Sequence, residues 1–308
     1  MRTTTLWVAI AILFAGLAVV VPPQTPSQVV TASISGQREP QYPPSPPPQE
    51  APPQTRSETD LPESPSAEPC LCTHLVYFRP KDKPDQRLDT NGTIDASVRS
   101  LRAWFVGQVG KQPRMDRLGG TTLFDITHVL GTKDAAAYTT LGSITEELRA
   151  KGLNEGSKRY LIYAAVDRGT TCGEATYPIA TLTDTTYAVI YLDSKSCSPR
   201  DFGNGTASGA GMAETIAAHE WLHAEGVVAP SAPRHCASAP YHVCTGPLWM
   251  VPTGVATNLD PEQSDVMYPL IDARLSKKVL DRERDDYVDH PWLVHPNLRN
   301  SPYLEPGP

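Results

Sequence analysis

Hydrophobic and polar positions divide the chain into three stretches. Leu6 to Val21 is an apolar run of 16 residues, residues 22 to 69 show no apolar periodicity, and from residue 74 onward the apolar positions become periodic. His74 to Phe78 reads as a first strand. Apolar residues at 94, 98, 101, 105 and 109 mark a helix over Ile94 to Val109, stopped by Gly110. Leu123, Ile126 and Val129 suggest a second strand with imperfect alternation, and Ser143 to Ala150 a short helix that stops at Gly152. Tyr160 to Val166 and Tyr187 to Leu192 are β-branched and aromatic, so both read as strands, with an edge strand expected over Ala175 to Leu182. A last helix is expected from Met212 to Glu225, closed by Gly226. This order predicts a mixed α/β (α+β) domain.

Composition sharpens the division. Residues 1–21 carry Arg2 before an apolar run that is short for a bilayer span and suited to a secretory signal. Val30-Thr31-Ala32 offers small residues for cleavage, but lies far from the apolar run, so an uncleaved signal anchor stays open and with it a membrane tether. Residues 22–69 hold 14 of the 31 prolines and read as a disordered, Pro-rich linker. Residues 70–308 then form one catalytic-sized domain, expected to be monomeric and outside the cytosol. The net charge of −7 and the absence of a Lys/Arg run argue against a nucleic-acid partner.

An even count of six cysteines in an exported chain reads as disulfides before metal ligands. Cys172 with Cys197 and Cys236 with Cys244 can pair locally. Cys70 and Cys72 are left over, and Cys70-Leu71-Cys72 is awkward to close on itself. The glycine-rich run Gly203 to Gly211 lacks the Gly-Lys-Ser/Thr of a phosphate loop and reads as a flexible lead into the next helix.

The chemistry concentrates in His219-Glu220-Trp221-Leu222-His223. Positions four apart on a helix share a face, so the two imidazoles stand one turn apart and can bind one tetrahedral Zn²⁺. Glu220 can then serve as general base toward a metal-activated water and return the proton to the leaving amine. Gly226, three residues after His223, marks a sharp turn, and Trp221 is expected to pack the helix on its core face.

Together with Asp265-Val266-Met267-Tyr268-Pro269 downstream, His219 to Gly226 resembles the metzincin clan of zinc peptidases. More narrowly, residues 74 to 303 look like a group of secreted bacterial proteins, through Tyr77-Phe78-Arg79-Pro80, Ala103-Trp104-Phe105, Ala232-Pro233-Arg234-His235, His242-Val243-Cys244 and Ser301-Pro302-Tyr303-Leu304. The resemblance implies a metzincin-like mixed sheet, a catalytic zinc, a protein or peptide substrate, and Met267 in a methionine-containing turn beneath the metal. It also exposes a departure. The clan's third ligand would fall at Ala229, which cannot bind zinc. His242 is preferred in its place, because its surroundings look like the stretch of the related group just ahead of the Met-turn. His235 stays open, and a Cys236–Cys244 disulfide would steady either imidazole. Asp260 and Asp265 rank lower, and Glu225 should point off the ligand face.

The remaining signals read as structural. His74 and His128 lie in strands and are expected to be satisfied there, and Tyr268 is expected to be structural rather than an oxyanion donor. Asp285-Asp286-Tyr287 with His290 reads as a solvated helix end rather than a calcium site. Asn91-Gly92-Thr93 and Asn204-Gly205-Thr206 match the glycan acceptor pattern. Three functions stay open: an extracellular zinc peptidase, a non-catalytic cell-surface binding or structural protein with a vestigial or structural metal site, and a zinc hydrolase of a non-peptide amide such as cell-wall material.

Overall fold

The computed structural model of the chain describes residues 70–119, 121–178, 185–236, 239, 241–244, 264–290 and 297–308. The expected signal or anchor (residues 1–21) and the expected Pro-rich linker (residues 22–69) lie outside the described residues. Among the described residues no helix is long and apolar enough to cross a membrane.

Three strands whose residues are buried on both faces make the centre of the fold: β1 (Cys72–Arg79), followed later by β4 (Lys158–Ala164) and β6 (Thr186–Tyr191). Before β4 come β2 (Lys111–Pro113) and β3 (Ile126–Leu130), and between β4 and β6 comes β5 (Gly173–Ala175). The five-stranded sheet runs β3-β1-β4-β6-β5, parallel except for the edge strand β5, which is antiparallel to β6. Near-continuous apolar strands are what a parallel sheet covered on both sides requires.

The alternation of side chains assigns the two covers. Leu75, Tyr77, Leu161, Tyr163, Ala188 and Ile190 face α1 (Thr93–Val109) and α3 (Met212–Ala224), in one core with Ile94, Leu101, Phe105, Ile216 and Trp221. Val76, Phe78, Ile162, Tyr187 and Val189 face the other way, onto Ile144 and Leu148 of α2 (Leu141–Ala150). The chain is therefore mixed α/β, with helices on both faces of a mostly parallel sheet. Its C-terminal strand β7 (Leu304–Pro306) pairs antiparallel with β2 in a separate two-stranded sheet.

Most expected elements appear, with shifts that have local causes. Gly110 ends α1 in the left-handed region (φ 70°), its N–H donating to the Val106 carbonyl. Helix α2 begins before Ser143, because the Thr140 side chain caps it by accepting from the Ser143 N–H at 3.2 Å. The strand expected from Leu123 starts at Ile126 instead, since Leu123 sits exposed in a turn. The edge strand is Gly173–Ala175 rather than Ala175 to Leu182. Tyr177 leaves the sheet to donate its hydroxyl to the Gly226 carbonyl (2.5 Å), and Pro178 has no N–H to continue a ladder; positions 179–182 lie outside the described residues.

The acidic stretch near the C-terminus is no solvated helix end. The Asp281 carboxylate accepts the backbone N–H groups of Asp286 and Tyr287, closing a buried turn, and Arg234 pairs with Asp285 and Asp286. The expected disulfides are Cys172–Cys197 and Cys236–Cys244, with Cα separations of 5.9 and 5.4 Å. Cys70 and Cys72, left unassigned by spacing, are joined to each other, their Cα atoms 5.3 Å apart. Asn91 and Asn204 are exposed.

Candidate metal centre

Helix α3 is buried on almost every side, as a central helix with Ala, Ile, Leu and Trp around its circumference should be. Trp221 is fully buried, as expected of a core-facing residue; its ring meets Phe105 edge-on and its indole N–H donates to Thr73 Oγ1 at 2.9 Å. The helix stops where Gly226 takes φ 75° and donates to the His223 carbonyl at 2.9 Å. A side chain at Gly226 would also strike Pro178, whose Cγ would lie 2.7 Å from an added Cβ. Glu225 points away from the ligand face into a buried ion pair with Arg159, at 3.0 Å, and also accepts from Ser301.

The structure brings His219, His223 and His242 together. Their Nε2 atoms stand 3.1 Å (219–242), 3.2 Å (219–223) and 3.3 Å (223–242) apart. Two nitrogens held at about 2.0–2.1 Å from a tetrahedral Zn²⁺ would be about 3.3–3.4 Å apart, so the triangle has nearly the right size. Its electrostatics fit as well. His219 Nδ1 lies 2.7 Å from the Val266 carbonyl oxygen. An acceptor there fixes the proton on Nδ1 and leaves Nε2 as a bare lone pair turned toward the other two rings. Burial, then the neighbouring His242, pushes His219 down to about 3, and burial with the other two imidazoles pushes His223 well below its usual range. Neutral imidazoles whose lone pairs converge repel one another, and a cation between them removes that repulsion.

His242 reaches this point through contacts within its own loop and with segments distant in sequence. The Cys236 N–H donates to the His242 carbonyl and the Cys244 N–H to the Arg234 carbonyl, both at 2.8 Å, beside the Cys236–Cys244 disulfide. Next to His242, the Val243 N–H donates to the Met267 carbonyl at 3.1 Å. Tyr241 stacks on Tyr177 with ring centroids 4.1 Å apart, tying the loop to the segment that grips Gly226. His235 faces elsewhere: it bridges Val243 across the loop, and its Nε2 lies 3.4 Å from the Tyr241 N–H. Ala229 is buried.

Met267 is buried in the main core, within a turn organised by Asp265. The Asp265 carboxylate accepts from the Met267 N–H (2.7 Å), the Arg282 N–H (3.0 Å) and the Tyr287 hydroxyl (2.8 Å). It is thus committed to the backbone that presents Val266 to His219, rather than to the imidazole triangle. Asp260 lies outside the described residues. Tyr268 packs with Cys236 and Cys244.

Glu220 is buried, its carboxyl flat against β5: a Cβ at Gly173 would come within 2.6 Å of Glu220 Cγ and 2.8 Å of its Oε1. Gly173 is thus required for the carboxyl to lie where it does, a relation between edge strand and helix that no local pattern announces. Burial, reinforced by Glu174, pushes Glu220 well above the usual carboxyl range. The positive charge of an ion among the imidazoles opposes that shift.

The strand histidines are satisfied as expected. His74 lies between Asp116 (2.8 Å) and Thr127 (2.9 Å), and His128 stacks on Tyr77. Neither protein-family models nor curated proteins compared with the chain gave a match.

Proposed function

We propose that the chain is an extracellular zinc-dependent peptidase, with His219, His223 and His242 as ligands and Glu220 as general base. The observation that carries this reading is the triangle of three Nε2 atoms 3.1–3.3 Å apart, two of them on the helix that also presents Glu220 and the third on the loop bearing His242. A buried Met267 whose turn hydrogen-bonds to both ligand-bearing segments supports a metzincin-like arrangement.

Zinc held there would act as a Lewis acid, lowering the pKa of water and polarising a carbonyl. The residues supply the rest. His219, oriented by the Val266 carbonyl, keeps its donor nitrogen unprotonated at neutral pH. Glu220, walled by Gly173 from one side, takes the proton of the attacking water and returns it to the leaving amine. The buried α3 fixes these roles relative to each other, so little reorganisation is needed during reaction. On this reading the Pro-rich stretch is a stalk, and the apolar head an export signal or membrane tether.

Replacing Glu220 by Gln should leave zinc content unchanged while lowering cleavage of a denatured protein substrate by about 10²–10⁴-fold. Undiminished cleavage by the variant would refute the mechanism. A zinc-loaded wild-type chain that cleaves no denatured protein would favour the binding or structural role.

A further inference from the structure

A second cluster of reactive groups lies at the start of β1, with no part in the metal centre. Cys70 and Cys72 are bonded to each other, and both sulfurs face a single carboxylate oxygen, Asp116 Oδ1, at 3.0 and 2.7 Å. The other oxygen, Oδ2, is held at 2.8 Å by both the Lys158 ammonium and His74 Nδ1. Asp116, Lys158 and Cys72 are buried, whereas Cys70 and Leu71 are partly exposed.

This arrangement suits one oxidation state better than the other. A carboxylate oxygen can accept two hydrogen bonds. A disulfide offers it no proton; a dithiol offers two. Burial alone would raise Asp116, but hydrogen bonds and charge from His74 and Lys158 outweigh it and hold the carboxyl below its usual range. The acceptor is therefore ionised, and a bond from a thiol to a charged acceptor is stronger than one to a neutral group. Meanwhile the disulfide gives little in return as a cross-link. Its cysteines are two residues apart, against 25 for Cys172–Cys197 and 8 for Cys236–Cys244. The chain entropy a cross-link removes grows with the loop it closes.

We propose that Cys70-Leu71-Cys72 is a thiol–disulfide exchange site, whose reduced form is stabilised by Asp116 and whose co-reactant is a small or protein thiol. In the first step the co-reactant thiolate attacks the accessible Cys70 sulfur. The bond between the two cysteines breaks, and Cys72 leaves with the electron pair and takes a proton. A second co-reactant thiolate attacks the mixed disulfide, forming the external disulfide and releasing Cys70, which is protonated in turn. Two external thiols are oxidised, the Cys70–Cys72 disulfide is reduced, and the two protons end on thiols that donate to Asp116 Oδ1.

A metal site built from Cys70, Cys72 and Asp116 fits less well, although their ligand atoms all lie within 4.8 Å of one another. The Lys158 ammonium already occupies Asp116 Oδ2, and both nitrogens of His74 are engaged. A second cation would have to displace a buried ion pair.

The test equilibrates the full-length chain with graded ratios of reduced to oxidised glutathione, followed by differential alkylation and mass spectrometry of all six cysteines. Cys70–Cys72 should be half reduced at a thiol excess at least about tenfold lower than either of the other two disulfides, which serve as controls in the same molecule. Asp116→Asn should raise the excess it needs by about tenfold and leave Cys172–Cys197 unmoved. The proposal is overturned if wild-type Cys70–Cys72 resists reduction as strongly as the controls, a result that needs no variant to fold. It is equally overturned if a folded Asp116→Asn chain keeps the wild-type midpoint, or if one equivalent of Zn²⁺ shields both reduced thiols from alkylation.

Discussion

Helix α3 and the loop from His235 to Cys244 bring imidazoles to one point by different means. On α3, helical geometry sets the spacing of His219 and His223, and the helix is fixed by burial of every residue from Ala213 to Ala224 except the half-buried His223, and by the Arg159–Glu225 pair at its exit. The loop has no such regularity. His242 is set by a disulfide, a bridge between His235 and Val243, and one hydrogen bond from Val243 to the Met267 turn. Two of the three imidazoles thus come from local structure and the third from long-range closure. Damage on the helix side should fall mainly on the stability of the whole fold, and damage on the loop side should cost less stability and fall mainly on the placement of His242.

Acid should break the helix side most severely. In the metal-free chain His219 is held down at about 3 by burial and by His242, against about 6.5 in the unfolded chain. The folded value is the lower one, so the unfolded state binds the extra proton as pH falls between the two. Stability from this group is complete above about pH 6.5 and is lost progressively below it, by about 5 kcal/mol if the whole shift is traversed. Urea denaturation of the chelator-treated chain at pH 7.5, 6 and 5 should show falling midpoints; a flat profile would mean that His219 is not buried as a neutral ring.

Glu225→Ala comes next. It removes the Glu225 carboxylate from a buried ion pair with the Arg159 guanidinium, which is 1% exposed and also stacks over the Tyr303 ring. Breaking a buried pair costs up to about 3–5 kcal/mol, and the denaturation midpoint should drop while His219, His223 and His242 are left in place. On the loop side, replacing both Cys236 and Cys244 by Ser should cost no more than about 2.5 kcal/mol, given the short loop. The same double variant should weaken zinc binding by about tenfold in a chelator competition. Equal zinc affinity before and after would show that the loop is held without its disulfide.

The same contrast decides what could be read in the sequence. Helix α3 was legible because its information is local: two histidines one turn apart, a glutamate between them, a glycine at the exit. Strands β1, β4 and β6 were legible because burial on both faces demands a run of apolar residues. Strand β5 was misplaced because Gly173-Glu174-Ala175 carries no pattern and pairs only because β6 is beside it. The pairing of β2 with β7 left no mark, since its register links Gln112 to Glu305 across the length of the domain. Asp265 was weighed as a ligand, and its work in the Met267 turn depends on backbone N–H groups that no residue pattern encodes. The buried pair of Arg159 and Glu225 left no mark either, because charged side chains are seldom buried unless paired, and the partner is 66 positions away. The choice between His242 and His235 rested on likeness alone, for both flank the same disulfide.

The proposed ligand set turns on that choice, and zinc content measures it directly. The chain is to be prepared as wild type, His242→Ala and His235→Ala, dialysed against equal chelator, and assayed for bound zinc by mass spectrometry. Loss of zinc from His242→Ala, with full occupancy in wild type and His235→Ala, is the predicted result. Zinc retained by His242→Ala, or lost from His235→Ala alone, would contradict it.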